Sequence, residues 1–400
     1  MSISNLKSFN DKATIIHVKS LAFNRTASTV GEIKTINYIE KELTKENIET
    51  NIEYFKWTSP NRLLIRIIYI IILSFLFILR LILILIIYFV LRFMSNKMRN
   101  ISLIRKKKSR NIIAKIPAKN NELKRPLVIF SAHYDSILSK FTFKWQRFLN
   151  LLLTIIITPY FLLIIIISSI VYIGSYFEWS ISEFFKLFIG ASSLIGICII
   201  LPFFFFISRI KTSESTGSID NASGVAILIE LAKLFKEYPP EKINLLFLWC
   251  GAEEFGLKGS KKFCERYFDE LNQDFDLYNS FNINIDMVGT YIGLLDKIGL
   301  IKKRKINNHL NDILEVSAKR LNICIIKYRK KIGIDSDHKS FRSFVKKTNK
   351  KFQICCFHSV KDCEVIHSIK DSPEKCSSEI LNGCLDICFN AIKTIDLKIK

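Results

Sequence analysis

Six side chains with hard or borderline donor atoms are spread along this chain: His133, Asp220, Glu253, Glu254, Asp286 and His367. Carboxylate oxygens and imidazole nitrogens in this mixture suit zinc. Two metal ions sharing one carboxylate would use five of the six, with Glu253 standing beside a ligand. The chemistry open to such a centre is hydrolysis, because bound metal activates water and polarises the carbonyl that the water attacks.

Each local motif has a plainer reading. His133 and Asp135 lie in SAHYDS, just after an apolar run. Asp135 is suited to hold the second ring nitrogen of a ligating His133, but a surface histidine beside an acid reads the same way. Asp220, in GSIDNASGVA, precedes an apolar helix and could serve as its N-cap, as could Asn221 or Ser223. Glu253 and Glu254, in GAEEFGLKGS, are adjacent acids at the mouth of an apolar strand. A cation would offset their repulsion, and so, in part, would a solvated first helical turn. Asp286 in NINIDMVG repeats the pattern of an acid after an apolar strand. His367 in EVIHSIKDSPE has Asp371 four residues on, a candidate to orient it. His358, directly after a strand, is its main rival; His338, His309 and His17 compete less strongly.

Elements that could position these groups follow from periodicity. Apolar spacing predicts a helix over 29–46, with Val30, Ile33, Ile36, Ile39 and Leu43 on one face. Further helices are expected at 221–235, 260–272 and 377–395. Strands are expected at 48–57, 111–118, 126–132, 243–249, 281–285, 323–328 and 352–357. Alternating strands and helices indicate an α/β class: a mixed central sheet flanked by helices, plus inserted transmembrane helices.

Two apolar blocks interrupt that pattern. The first, Leu63–Leu91, is broken by Arg80 into legs of 67–79 and 81–91, each too short to cross a bilayer, although the whole block could cross once. The second comprises 148–173 and 187–208, two uncharged runs joined by an acidic turn, and is expected to form a transmembrane hairpin. If the soluble segments share one sheet, each block must return to the side it left. The first block is then a re-entrant or interfacial hairpin. The expected organisation is 1–60, 96–147 and 209–400 as one discontinuous catalytic domain, with 61–95 and 148–208 as membrane blocks.

Lysine and arginine outnumber acids by 59 to 36, a net charge of +23. No nucleic-acid-binding motif accompanies that charge, and many of the cations flank the apolar blocks. Acidic lipid headgroups are therefore the expected partner, nucleic acid is not, and the positive flanks put the catalytic domain on the cytoplasmic side. The ten cysteines have irregular spacing, which points to reduced, mostly buried thiols. The opening MSISNLKSFNDK is too polar for a signal peptide.

Taken in order, HYDS, SIDNASG, EEFGLKGS, NIDMVG, DSDHKSF and IHSIKDS resemble the di-zinc aminopeptidase family that includes bacterial leucyl aminopeptidases and vacuolar aminopeptidase Y. The resemblance covers the three soluble segments and neither apolar block. It implies two Zn2+ per chain, with His133 and Asp286 on one, Glu254 and His367 on the other, and Asp220 between them. It implies Glu253 as general base, Asp135 as the acid behind a ligand, and peptides with a free N-terminus as substrates. One departure is the 87-position interval from His133 to Asp220, where the family has about a dozen residues, in keeping with short αβ and βα loops. Another is Val365-Ile366 beside His367, where an aromatic or acidic residue is expected. A glutaminyl-cyclase-like acyltransferase with one zinc is the alternative enzyme, and a non-catalytic membrane protein retaining the fold is the alternative outside enzymes.

Overall fold

A computed structural model describes residues 13–58, 106–120, 124–139, 141–177, 213–299, 304–306, 308–329, 335–348 and 352–399, with 179, 183, 187, 190 and 191. The strands are β1 (Thr50–Trp57), β2 (Lys107–Ile116), β3 (Leu127–His133), β4 (Leu138–Ser139), β5 (Ser213–Glu214), β6 (Asn244–Cys250), β7 (Phe281–Ile285), β8 (Ile292–Ile298), β9 (Arg304–Lys305), β10 (Ile325–Arg329) and β11 (Gln353–Phe357). The helices are α1 (Ala13–Ser20), α2 (Val30–Thr44), α3 (Phe143–Leu151), α4 (Thr158–Tyr176), α5 (Ser223–Glu237), α6 (Lys258–Asp274), α7 (Asn308–Arg320), α8 (His338–Thr348) and α9 (Ser378–Lys398).

Nine strands form one mixed sheet in the order β1-β2-β6-β3-β7-β11-β8-β10, with β9 paired to β8. Strands β6, β3, β7 and β11 run parallel at its centre, while β2 and β8 pair antiparallel to β6 and β11. A parallel strand covered on both faces is expected to be nearly continuously apolar; β6 largely meets that, while β3 and β7 are buried throughout and bury Ser131, Asn282 and Asn284 as a hydrogen-bonded set. Alternate side chains then divide between two cores. Val128, Phe130, Leu245, Phe247 and Trp249 pack with α1, α2, α5, α7 and α9, where Phe130 and Phe247 stack at 5.3 Å. Leu127, Ile129, Leu246 and Leu248 pack on the other face with α6 and α8.

Helix α2 buries a different face from the one its apolar spacing suggests. Ile36, Ile39 and Leu43 are buried, but Val30 and Ile33 are 68% and 43% exposed. The first turn instead directs Glu32 inward, where its carboxylate accepts from Ser28 N–H at 2.6 Å, Tyr134 Oη at 2.9 Å and Ser109 Oγ. Helices α1, α7 and α8 and strand β8 have no counterpart among the expected elements. Apart from the exposed Cys324, the described cysteines are buried free thiols.

Contacts divide the chain into two units. One comprises Met1–Trp57, Lys108–Lys144 and Ser213–Lys400; the other comprises Thr58–Lys107 and Trp145–Thr212. Within the first, β4 and β5 pair antiparallel, Leu138 opposite Glu214 and Ser139 opposite Ser213. The chain therefore leaves and re-enters this unit side by side.

The first apolar block, 63–91, lies outside the described residues, as does most of 187–208. The run 148–173 is helical but not as one α-helix: a wide π-type turn over Leu152–Ile157 separates α3 from α4. Among the described residues no helix is long and apolar enough to cross a membrane. The expected transmembrane hairpin is thus not carried by the helices described.

Candidate metal centre

Strand register brings the predicted donors together. His133 ends β3 opposite Cys250, the last residue of β6. Ser131 pairs with Asn284, so the same register sets His133 level with Asp286, one residue beyond β7. Phe357 pairs with Ile285, which sets His358 level with Asp286 on the other side. The turn after β6 carries Glu253 and Glu254, and the turn before α5 carries Asp220. Apart from Asp220, these stand at the carboxyl ends of parallel strands, where an α/β sheet opens a crevice.

The donor atoms form two groups, His133–Asp220–Asp286 and Asp220–Glu254–His367, with the atoms of each within 4.8 Å of one another. Nε2 of His133 lies 3.0 Å from Asp220 Oδ1 and 3.3 Å from Asp286 Oδ1. Nε2 of His367 lies 3.2 Å from Asp220 Oδ2 and 3.2 Å from Glu254 Oε1. Asp220 therefore presents one oxygen to each group.

This arrangement demands a cation. His133 Nδ1 faces the backbone carbonyl of Asp135 at 3.1 Å. A carbonyl only accepts, so that nitrogen carries its proton. Neutral Nε2 would then aim a lone pair at two carboxylate oxygens. Glu254 Oε1 and Asp286 Oδ1 are buried and accept no hydrogen bond from the protein, an expensive state for charged oxygens. Burial lowers the basicity of both imidazoles, but the surrounding carboxylates outweigh it and push His133 and His367 well upward. Burial would raise the Asp220 carboxyl, yet contacts with the two histidines hold it down at about 2. Without a metal, protons must supply the positive charge that these oxygens require. Imidazole nitrogen and carboxylate oxygen in two such groups fit zinc, and a metal bound there would satisfy the orphaned oxygens.

Glu253 belongs to neither group. It is 9% exposed, and burial pushes its carboxyl well above the ordinary range, with Asp337, Glu254 and Asp286 adding to the rise. Asp135 acts differently from the sequence expectation. Its carboxylate is 3.7 Å from His133 Nδ1 and instead accepts the backbone N–H groups of Glu253 at 2.9 Å and Glu254 at 3.3 Å. Asp135 thus orients the imidazole with its carbonyl and the Glu253-Glu254 turn with its side chain.

Asp371 also departs from expectation. Its Oδ1 accepts from Ile219 N–H at 2.6 Å, and its backbone carbonyl accepts from Thr216 Oγ1. It braces the Asp220 turn rather than His367. His358, the rival ligand, stands behind Asp286, with Nδ1 3.6 Å from Oδ2, the oxygen turned away from His133. His17 is engaged with Tyr38 and Glu230 outside both groups.

A capping role for Asn221 or Ser223 was expected, but the ties that brace the site across the fold were not. Asn221 Nδ2 donates to Ile285 O at 3.0 Å, while its Oδ1 accepts from Gly224 N–H at 3.0 Å and Met287 N–H at 3.1 Å. Ser223 Oγ accepts from Val288 N–H at 3.2 Å. Asn221 thus caps α5 and ties the Asp220 turn to the Asp286 turn, which leaves the Asp220 carboxylate for the cluster. The signal was present in SIDNASG, but one strand of chain cannot reveal what it is tied to. Asp362 accepts from Thr290 Oγ1 at 2.7 Å and Ser359 Oγ at 2.6 Å, joining the turn after Asp286 to the loop that leads to His367. His367 itself has φ +59°, a conformation disfavoured for a residue with a Cβ, and the ring of Phe143 stands edge-on to it at 5.5 Å.

Residues 207–392 match the family model described as Peptidase family M28. That span contains Asp220, Glu253, Glu254, Asp286 and His367. A stretch of 76 residues, 19% of this chain, is 40% identical to "Aminopeptidase YwaD" of Bacillus subtilis (strain 168). The matched stretch is 16% of that protein's length. Among solved structures, an aminopeptidase from Aneurinibacillus sp. strain AM-1 superposes with a TM-score of 0.57 at 14% identity, covering 97% of this chain and 94% of that one. A glutaminyl cyclase from an Acidobacteriales bacterium gives 0.56 at 14% identity, covering 98% and 96%. Identities this low show the fold: a mixed α/β sheet shared by aminopeptidases and glutaminyl cyclases.

If Asp220 serves both donor groups, Asp220→Ala should lower zinc binding at both. Elemental analysis and zinc titration of the purified variant should show the loss of both equivalents or of nearly all tight binding. Unchanged two-metal occupancy would refute the shared carboxylate.

Proposed function

We propose that this chain is a membrane-anchored di-zinc metallopeptidase of the kind represented by bacterial leucyl aminopeptidases, and that it removes N-terminal residues from peptides. The observation that carries this reading is Asp220, whose two oxygens each face a different histidine-carboxylate pair. His133 and Asp286 would hold one zinc, Glu254 and His367 the other. Two donor groups favour a dinuclear centre over the single zinc of a glutaminyl-cyclase-like acyltransferase; a test for pyroglutamate formation separates the two activities.

Bound zinc would supply Lewis acidity, lowering the pKa of water and polarising the scissile carbonyl. The protein's own groups do the rest. Glu253 is buried, is not needed as a ligand, and has a carboxyl whose proton affinity burial raises well above the ordinary carboxylate range. It would take the proton of the attacking water and return it to the leaving amine. Asp135 holds the backbone of Glu253, and so fixes where that carboxyl can reach. His133 is held in one tautomer by the Asp135 carbonyl, which keeps Nε2 directed at the cluster.

Membrane anchoring is supported by the uncharged runs 148–173 and 187–208 and by α4, where Leu163, Ile166, Ile170 and Ile173 remain exposed at helical spacing. The basic flanks of these runs favour acidic headgroups and a cytoplasmic catalytic unit.

Glu253→Gln should keep both zinc ions and lower kcat about 10²- to 10⁴-fold on aminoacyl reporters, with N-blocked substrates inert in wild type. Full activity in that variant would remove Glu253 as the base. The anchored protein should stay in the membrane fraction after alkaline carbonate washing. Complete release into the supernatant would contradict embedding in lipid.

A further inference from the structure

Arg25, in the loop between α1 and α2, is fully buried, and its guanidinium is ringed by backbone carbonyls. Nε donates to Tyr134 O at 2.8 Å; Nη1 donates to Thr216 O at 2.7 Å, Phe23 O at 3.2 Å and Leu21 O; Nη2 donates to Gly217 O at 2.7 Å. Its backbone N–H donates to Ser136 Oγ at 2.9 Å. Tyr134 directly follows His133, and Gly217 precedes Asp220 by three residues. One side chain thus fastens the loop of the first donor to the loop of the shared one.

The need for such a fastening follows from the chain path. Residues 140–212 intervene between the two loops, so local connectivity does not hold them in register. The ribbon of β4 and β5 closes the gap at its outer end. Arg25 closes it next to the donors. Gly217 is shaped around this contact: it has φ +59°, and a Cβ there would lie 2.8 Å from Arg25 Nη2 and 2.7 Å from Asp220 O. Only glycine fits that position without displacing the guanidinium or the Asp220 turn.

We propose that Arg25 is a positioning residue for the metal centre, setting the spacing of His133 and Asp220 by clamping their backbones. The proposal rests on the metal-centre reading above. It has a sign that separates it from simple electrostatics. A buried cation near a cation site repels metal, so removing its charge without moving the loops would tighten zinc binding. Loss of a clamp weakens it.

The test is zinc affinity of the full-length apoprotein, measured by competition with a chromophoric chelator, for wild type, Arg25→Lys, Arg25→Met and Gly217→Ala. Lysine keeps the charge but cannot span five carbonyls. Supports behind metal ligands typically contribute about 10- to 100-fold in affinity. Arg25→Lys and Gly217→Ala should each lose about that much, and Arg25→Met at least as much. Thermal unfolding of each apoprotein in chelator shows which variants are folded; should the methionine variant fail to fold, the lysine and alanine variants decide. Folded variants that bind zinc as tightly as wild type, or more tightly, overturn the clamp. Wild type that binds no zinc tightly overturns the metal-centre reading itself, a distinct result.

Discussion

Asp220 brings its carboxylate within reach of Asp286 on one side and Glu254 on the other, with Glu253 nearby and an imidazole nitrogen in each group. Like charges at this separation and burial repel strongly, and solvation is not there to relieve them. Some positive charge must occupy the space between. That constraint explains why both histidines are pushed toward their protonated forms, why carboxylate oxygens stand without hydrogen bonds, and why so many neighbouring groups brace the turns rather than neutralise the acids. Asn221, Ser223, Asp362 and Asp371 all spend their hydrogen bonds on backbone or on hydroxyls. None of them places a cation among the donors.

The sheet supplies the frame. Parallel pairing of β3 with β6 and β7, and of β7 with β11, sets four strand ends level; three lead to His133, Asp286 and the Glu253-Glu254 turn, and the fourth to His358 behind Asp286. The frame tolerates a long insertion between β4 and β5 because the chain departs and returns as a two-residue ribbon. Tolerance of this kind is ordinary for a connection at a sheet's rim. It becomes delicate only because the loops on either side of the insertion carry His133 and Asp220.

Strand β6 was readable because burial on both faces leaves a nearly unbroken apolar run, and 281–285, with Phe281, Ile283 and Ile285 alternating with asparagines, coincides with β7 as observed. The donors His133, Asp220, Glu254, Asp286 and His367 could be named from motif order, and the structure brings them into two groups. What could not be read was orientation. The spacing of α2 placed Val30 and Ile33 inward, but an apolar stripe does not say that Glu32 has three donors waiting across the core. Asp135 and Asp371 were each paired with the nearest histidine in sequence, whereas their carboxylates reach backbone N–H groups of other loops. Helix α8 sets Phe341, Phe344 and Val345 on one face but over little more than one turn in a charged stretch, and strand β8 is interrupted by Gly293 and Asp296. Arg25 gave no sign at all, since its partners are carbonyls far along the chain.

The central claim is that one carboxylate joins two metal sites. Anomalous diffraction at the zinc edge from zinc-loaded crystals tests it most directly. The account predicts two peaks about 3.5–4 Å apart, one beside His133 and Asp286, the other beside Glu254 and His367, with Asp220 touching both. A single peak, or two peaks with Asp220 turned away from either, would contradict it.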